Sequence, residues 1–111
     1  MTPQSRPSTP QRPAIVGHRG ASVHAPENTL AAFRRAIEDG AQLLECDVHL
    51  SADGHVVVMH DRTIDRTAAA DSPLRSGAIG ELTRAELDRV LLGEGERVPS
   101  LEELLAMTTV P

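Results

Sequence analysis

The feature that most constrains this fold is a pair of β-strand segments separated by only a tight turn. Residues 42–50 alternate in polarity, and residues 55–60 are mainly β-branched and apolar. Asp53-Gly54, between them, is a strong turn signal. A parallel crossover would need about a dozen residues or more, so the sequence predicts an antiparallel β-hairpin around Asp53-Gly54.

Strand and helix signals also lie before this hairpin. Residues 14–18 are a short apolar run, which indicates a buried strand. Asn28 is a good N-cap for the helix that follows, and Gly40 is a stop after its last turn. Between them, apolar residues recur at helical spacing. The sequence therefore predicts strand, helix and hairpin in succession.

After the hairpin, residues 61–80 are polar and rich in turn formers, which predicts a long surface connection. Two capping boxes then predict helices. Thr83 with Glu86 opens one to about residue 92, and Ser100 with Glu103 opens one to about residue 107.

Composition separates a tail from one domain and excludes several classes of protein. Residues 1–13 hold four of the eight prolines and almost nothing apolar, so we predict a disordered Pro-rich tail before a domain at 14–111. A net charge of −5 and a single aromatic residue argue against a nucleic-acid partner. The lone Cys46 excludes an internal disulfide, and no apolar run approaches the ~18–20 residues of a membrane anchor. With no signal peptide visible, the cytoplasm is the expected compartment.

Glu45 and Asp47 are the first candidate site residues. Two residues apart on a predicted strand, they share one face at a backbone spacing of about 6–7 Å. Two carboxylates aimed at one point repel unless a cation or proton intervenes, and Mg²⁺ or Ca²⁺ suits oxygen ligands. The alternative is a solvated strand face. A turn centred near Asp53 would put His60 roughly opposite Asp47.

His18 and His60, each at the end of a predicted strand, are the second pair. Across a bound phosphodiester they could move protons to and from the reacting oxygens, or one could attack phosphorus. Alternatively, each is a structural strand-end histidine. Arg19 offers a planar fork of donors for phosphate oxygens, or else forms a surface salt bridge.

The other histidines and the cysteine are weaker candidates. His24 and His55 are expected to be structural or exposed, and the role of His49 is left open. Cys46 lies on the face opposite the carboxylates, which predicts a buried, inert thiol.

Six short motifs occur in a fixed order along the chain: His18-Arg19-Gly20, Pro26-Glu27-Asn28-Thr29, Glu45-Cys46-Asp47, His60-Asp61, Asp65-Arg66-Thr67 and Pro99-Ser100-Leu101-Glu102-Glu103. From about residue 15 to 107 this series resembles the glycerophosphodiester phosphodiesterase family. The resemblance implies the N-terminal half of a (β/α)₈ TIM-type barrel. It also implies hydrolysis of a glycerophosphodiester to sn-glycerol 3-phosphate and an alcohol, with a divalent metal, Mg²⁺ or Ca²⁺.

The resemblance also implies roles for single residues. His18 and His60 would be the catalytic acid and base, Glu45 and Asp47 metal ligands, and Arg19 the phosphate contact. Three further residues belong to the motifs without an assigned role beyond the predicted cap: Glu27, Asn28 and Asp61.

Length is where the chain departs from the family. A (β/α)₈ barrel takes about 200–250 residues, and this sequence has 111, with about three predicted strands and three helices. The third carboxylate ligand that the family implies, on the next strand, does not occur in it. We therefore expect a truncated chain that is unstable and nearly inactive alone. The open alternatives are a lysophospholipase D-like or sphingomyelinase D-like enzyme and a non-catalytic fragment that binds a phosphate ligand.

Overall fold

A computed structural model of the chain describes residues 16–20 and 25–108. The predicted tail at 1–13, the first residues of the first strand and His24 lie outside this range. The described elements are, in chain order, β1 (Val16–His18), α1 (Leu30–Glu38), β2 (Leu43–Glu45), β3 (Val48–Leu50), β4 (Val56–Val58), a 3₁₀ turn (Ile79–Glu81), α2 (Arg84–Leu87), β5 (Leu91–Gly93), β6 (Glu96–Arg97) and α3 (Leu101–Met107). None of the described helices is long and apolar enough to cross a membrane.

The first unit is β1–α1–β2, in which α1 carries the chain back so that β2 pairs parallel to β1. The register places Val16 opposite Leu43 and His18 opposite Glu45. Because both strands run the same way, their carboxyl ends lie at one edge. His18 and Glu45 are therefore neighbours at that edge.

The second unit is the antiparallel pair of β3 and β4. Leu50 lies opposite Val56, so the register is centred on Asp53. The Asp47 carbonyl accepts a hydrogen bond from the backbone N–H of Met59 at 2.9 Å. Met59, not His60, therefore lies opposite Asp47, one residue from the predicted position.

The single strand predicted over residues 42–50 is wrong, because the chain breaks at Cys46-Asp47 into β2 and β3. Strand β2 bonds to β1, whereas β3 bonds to β4, in a separate two-stranded sheet. The change of partner requires the chain to leave the strand conformation between them. Glu45 and Asp47 therefore do not share the face of one strand.

The start of α1 also differs from the prediction. Thr29, not Asn28, is the N-cap: its backbone is extended, and its Oγ1 accepts a hydrogen bond from the N–H of Ala32 at 3.1 Å. Asn28 has φ 55°, in the left-handed region, whereas an N-cap residue normally has an extended backbone. Asn28 is thus part of the loop that enters the helix.

Both capping boxes form, but only the second opens a helix of the predicted length. Helix α2 has four residues, and Leu91 and Leu92, which the prediction placed in or beside that helix, belong to strand β5. The connection between β4 and α2 forms hydrogen bonds with this segment: the Leu91 N–H donates to the Ser72 hydroxyl, and the Leu91 carbonyl accepts from the Ala69 N–H. These backbone bonds replace those of another helical turn.

Strand β4 separates two hydrophobic clusters. Val57 packs into the larger one, and Val58, pointing to the opposite side, packs with Phe33 and Leu104. Ile64 and Ile79 also belong to the larger cluster, so the long connection after β4 is anchored at both ends. This anchoring fixes the segment that follows His60.

Candidate active site

His18 and Glu45 meet at the carboxyl ends of β1 and β2. The Nε2 atom of His18 lies 3.5 Å from Oε1 of Glu45, and both side chains reach solvent. The backbone N–H of Arg19 donates to the Glu45 carbonyl at 2.9 Å and to its Oε1 at 3.3 Å. Arg19 has φ 55°, a strained conformation of the kind that clusters at functional sites.

Glu27 lies between two guanidinium groups. Arg19 donates from Nη1 to Oε2 at 3.1 Å, and Arg66 donates from Nη2 to Oε1. Partial burial acts to raise the pKa of Glu27, but the hydrogen bonds from Arg66 and Arg19 outweigh it and hold that pKa below its usual value. Glu27 is therefore a carboxylate that joins two cations.

The other carboxylate on Arg66 belongs to Asp61. Arg66 donates from Nε to Oδ2 at 2.8 Å and from Nη2 to Oδ1 at 3.2 Å, in a two-point contact. Nδ1 of His60 lies 2.7 Å from the same Oδ1. Hydrogen bonds from Arg66 and then His60 hold the pKa of Asp61 well below its usual range, and Asp61 and Glu27 raise the pKa of Arg66.

These contacts form one continuous network between the two candidate histidines. The network begins at His18 and ends at His60. Five residues connect these two ends, in the order Glu45, Arg19, Glu27, Arg66 and Asp61. Glu45 contacts the backbone N–H of Arg19, and the other contacts are between side chains. The structure thus links seven residues that are scattered through the sequence.

Two members of this network, Glu27 and Asp61, were named from the sequence motifs without a role, and Arg66 was not named as a site residue. It was visible as part of a motif, five residues after Asp61. A spacing of five residues in a loop does not by itself indicate a contact between two side chains. The fold of residues 61–80 is what brings the Arg66 guanidinium next to the Asp61 carboxylate. His49 was also left open, and its Nε2 lies 3.1 Å from the His60 carbonyl oxygen.

Asp47 carries the observation that best fits a cation ligand. Its Oδ2 is buried and has no hydrogen-bond partner among the described residues. Such an oxygen is unfavourable unless a cation or donor compensates it. The carboxylate oxygens of Glu45 and Asp47 are the type of ligand that a hard divalent ion such as Mg²⁺ or Ca²⁺ prefers. Within residues 16–20 and 25–108, however, the structure assembles no group of three or more His, Cys, Asp or Glu side chains around one point.

Three other residues lie outside this network. His55 is exposed on the hairpin, 3.9 Å from Asp53. Cys46 packs beside the Phe33 cluster; burial, and then the charges of the two neighbouring carboxylates, raise the pKa of its thiol. The raised pKa agrees with the predicted inert thiol, but the predicted burial is only partial, since Cys46 is half-buried. Asn28 is buried, its backbone N–H donates to the Arg19 carbonyl at 2.8 Å, and its side-chain amide has no partner in the described part.

The parallel β1–α1–β2 unit, with polar side chains at its strand ends, defines a chain of the α/β class. A sequence model described as the glycerophosphoryl diester phosphodiesterase family matches residues 18–111, and the chain belongs to this family. It is 42% identical over 96 residues to the glycerophosphodiester phosphodiesterase of Caldanaerobacter subterraneus, covering 84% of this chain and 39% of that protein. Mouse glycerophosphodiester phosphodiesterase 1 is 40% identical over 101 residues, covering 83% and 29%.

Solved structures of the family have the same fold. Glycerophosphodiester phosphodiesterase from Agrobacterium tumefaciens superposes with a TM-score of 0.74 at 39% identity, over 87% of this chain and 45% of that one. A phosphodiesterase from Oleispira antarctica, solved with the product sn-glycerol-3-phosphate, gives 0.77 at 35% identity, over 86% and 39%. These neighbours are TIM-barrel enzymes, with which a partial barrel here is consistent. The chain spans about two fifths of the first curated relatives that it matches.

Proposed function

We propose that this chain carries the acid–base and metal-binding residues of a phosphodiesterase that hydrolyses glycerophosphodiesters to sn-glycerol 3-phosphate and an alcohol. The observation that carries the proposal is the network from His18 to His60, because it joins two solvent-accessible imidazoles through a series of carboxylates, two arginine side chains and the Arg19 backbone N–H. Family membership supports the choice of substrate class. The product named for the Oleispira antarctica structure supports the same choice.

The two imidazoles perform the proton transfers. One accepts a proton from water as the water oxygen bonds to phosphorus. The other donates a proton to the leaving alcohol oxygen as its bond to phosphorus breaks. Both side chains reach solvent, His18 with 66% and His60 with 40% exposed, so each can regain its starting protonation state after turnover.

Glu45 and Asp47 are the proposed ligands of a divalent cation, Mg²⁺ or Ca²⁺. When bound, such an ion would offset negative charge on the phosphodiester. The buried, unpartnered Oδ2 of Asp47 supports this assignment. The Glu45 side chain is 38% exposed and is therefore accessible from solvent.

Arg19 is the proposed phosphate contact. Its Nη1 is engaged by Glu27, but its Nε is buried without a partner among the described residues. This unpaired donor, on the residue that follows His18 in the sequence, supports a role in orienting a phosphate oxygen. Glu27 would then hold the guanidinium in place.

The test is hydrolysis of glycerophosphocholine, glycerophosphoethanolamine and lysophosphatidylcholine by the protein expressed from its complete gene, with Mg²⁺ or Ca²⁺. His18→Ala and His60→Ala should each reduce kcat by at least about 10²-fold, the scale of general acid–base catalysis, with metal affinity retained. Glu45→Gln should weaken the metal affinity measured by calorimetry. The matched control is His55→Ala, which removes an exposed imidazole outside the network.

Each other outcome contradicts a stated part of the proposal. Full activity in both histidine variants would exclude the acid–base assignment. Preference for lysophosphatidylcholine would favour the lysophospholipase D-like alternative. Metal binding without turnover of any diester would favour a non-catalytic binding role.

A further inference from the structure

We propose that Arg66 is a positioning residue, which fixes the orientation and tautomer of His60 by clamping Asp61. The inference deepens the proposed function, on which it rests for its kinetic consequence. Its structural consequence, the tautomer of His60, is measurable in the absence of any substrate.

The clamp is a two-point contact. Nε and Nη2 of Arg66 face the two oxygens of Asp61 at 2.8 and 3.2 Å. A planar guanidinium in this fork geometry fixes the plane of the carboxylate, which a single point charge does not. Asp61 therefore presents Oδ1 to His60 in a defined direction.

A second carboxylate holds Arg66 itself. Nη2 of Arg66 also donates to Oε1 of Glu27, which is only 16% exposed and is held from its other oxygen by Arg19. The Arg66 side chain is 52% exposed. An ion pair at such an exposed site contributes little stabilising free energy, because ordering the long side chain costs conformational entropy, so Arg66 needs this second contact to hold one position. Glu27 gives the guanidinium a fixed position from which to act on Asp61.

The consequence falls on the imidazole of His60. Asp61 is held ionised and accepts only, so the nitrogen facing it, Nδ1 at 2.7 Å, carries the proton. The neutral ring then has an unprotonated Nε2, the nitrogen that is free to accept a proton. His49 holds the backbone of the same residue through the His60 carbonyl, so ring and backbone are both fixed.

Arg66 acts through Asp61 and is thus distinct from a residue that binds substrate. Two of its three nitrogens are engaged by carboxylates in the described part of the chain. A substrate-binding arginine would change KM when removed, whereas a positioning arginine would change kcat.

The experiment compares Arg66→Gln with Arg62→Gln in the protein expressed from its complete gene. Arg62 is a matched control, since it lies in the same connection, is exposed and has no ion pair among the described residues. The direct readout is the ¹⁵N NMR spectrum of labelled histidine at mildly alkaline pH, with the His60 signals assigned by their loss in His60→Gln. Thermal unfolding of every variant is measured alongside.

In Arg66→Gln we expect His60 to lose its predominance of the Nδ1–H tautomer, while Arg62→Gln keeps the wild-type spectrum. Where the protein hydrolyses a diester, kcat should fall about 10–100-fold, with KM little changed. Arg66→Lys should recover part of this loss, because it restores the charge without the fork.

An unchanged His60 tautomer in a folded Arg66→Gln variant would overturn the proposal. A rise in KM with kcat unchanged would also overturn it, in favour of direct substrate binding. If no diester is hydrolysed, the proposed function fails, but the tautomer measurement still decides whether Arg66 positions His60.

Discussion

Glu27 and Arg66 lie 39 residues apart in the chain, and their side chains form an ion pair. Glu27 belongs to the loop that precedes α1, and Arg66 to the connection that follows β4. Glu27 also pairs with Arg19, which follows His18 in the sequence, and Arg66 also pairs with Asp61, which follows His60. Together these ion pairs connect the segment after His18 to the segment after His60. The relative position of the two histidines therefore depends on a charged contact as well as on the packing of the strands.

Removing the Glu27 charge should weaken both stability and activity. Glu27→Gln leaves two guanidinium groups facing a neutral amide, so we expect the free energy of unfolding to fall by about 1.5–3 kcal/mol, as for hydrogen bonds to charged groups. Activity should also fall, because Arg19 and Arg66 lose their common anchor. Urea denaturation and diester hydrolysis check this, with the exposed Glu38→Gln as the control. Equal stability of the two variants would contradict the prediction.

Acid should destabilise the protein partly through Asp61. Its folded-state pKa lies well below the unfolded value of about 3.9, so its contribution to stability is complete at pH values about one unit or more above that unfolded value. The contribution is lost as the pH falls below about 5 toward the folded-state pKa. Asp61→Asn should thus be less stable than wild type near neutral pH, and this difference should shrink on acidification. Denaturation at a series of pH values tests this, with the exposed Asp71→Asn as the control, which should show no such convergence.

Gly20 should not tolerate a side chain. It has φ 76°, and an added Cβ would lie 2.6 Å from the backbone carbonyl carbon of Ala32 in α1. Gly20→Ala combines left-handed strain with a backbone clash, for a loss of about 2–5 kcal/mol of unfolding free energy. Gly54→Ala is the matched variant: φ is 84° but nothing lies within 4 Å of the added Cβ. It should lose only the strain, about 1–2 kcal/mol. A similar loss in both variants would exclude the close approach of the loop to α1.

The cap of α1 gives a test of local structure. The Thr29 hydroxyl accepts from the Ala32 N–H and donates to the Pro26 carbonyl at 2.7 Å, in a fully buried position. Thr29→Ala should lower the free energy of unfolding by about 1–2 kcal/mol, the upper part of the range for a lost N-cap. Thr29→Ser, which retains the hydroxyl, should lose clearly less. Equal losses would mean that the methyl group, not the cap, stabilises this end of the helix.

Local sequence signals were sufficient where one segment satisfies its own hydrogen bonds. The capping box at Ser100 and Glu103 depends only on residues three apart, and it predicted the start of α3 correctly. The apolar run around Val57 and Val58 predicted a strand of the hairpin, and in the structure its two faces meet the two hydrophobic clusters. The order of the short motifs was likewise enough to identify the family, to which residues 18–111 belong.

Pairing partners distant in sequence decided the rest. Residues 42–50 have the alternation of one strand, and only the two different partners, β1 and β4, break it between Glu45 and Val48. Similarly, Leu91 joins a strand because a distant loop takes its backbone hydrogen bonds. Such choices depend on which groups compete for the same donors and acceptors, and that competition does not exist until the chain is folded.

The sequence by itself determined the chemical groups available to this protein: two imidazoles, several carboxylates and two arginines in recognisable motifs. The tertiary structure decided which of them meet. It made Arg66 the link between Glu27 and Asp61, because a guanidinium on a loop is directed by long-range packing and charge and not by its sequence neighbours. It also left the Oδ2 of Asp47 buried without a partner in the described part of the chain, next to the point where the chain changes strand partners.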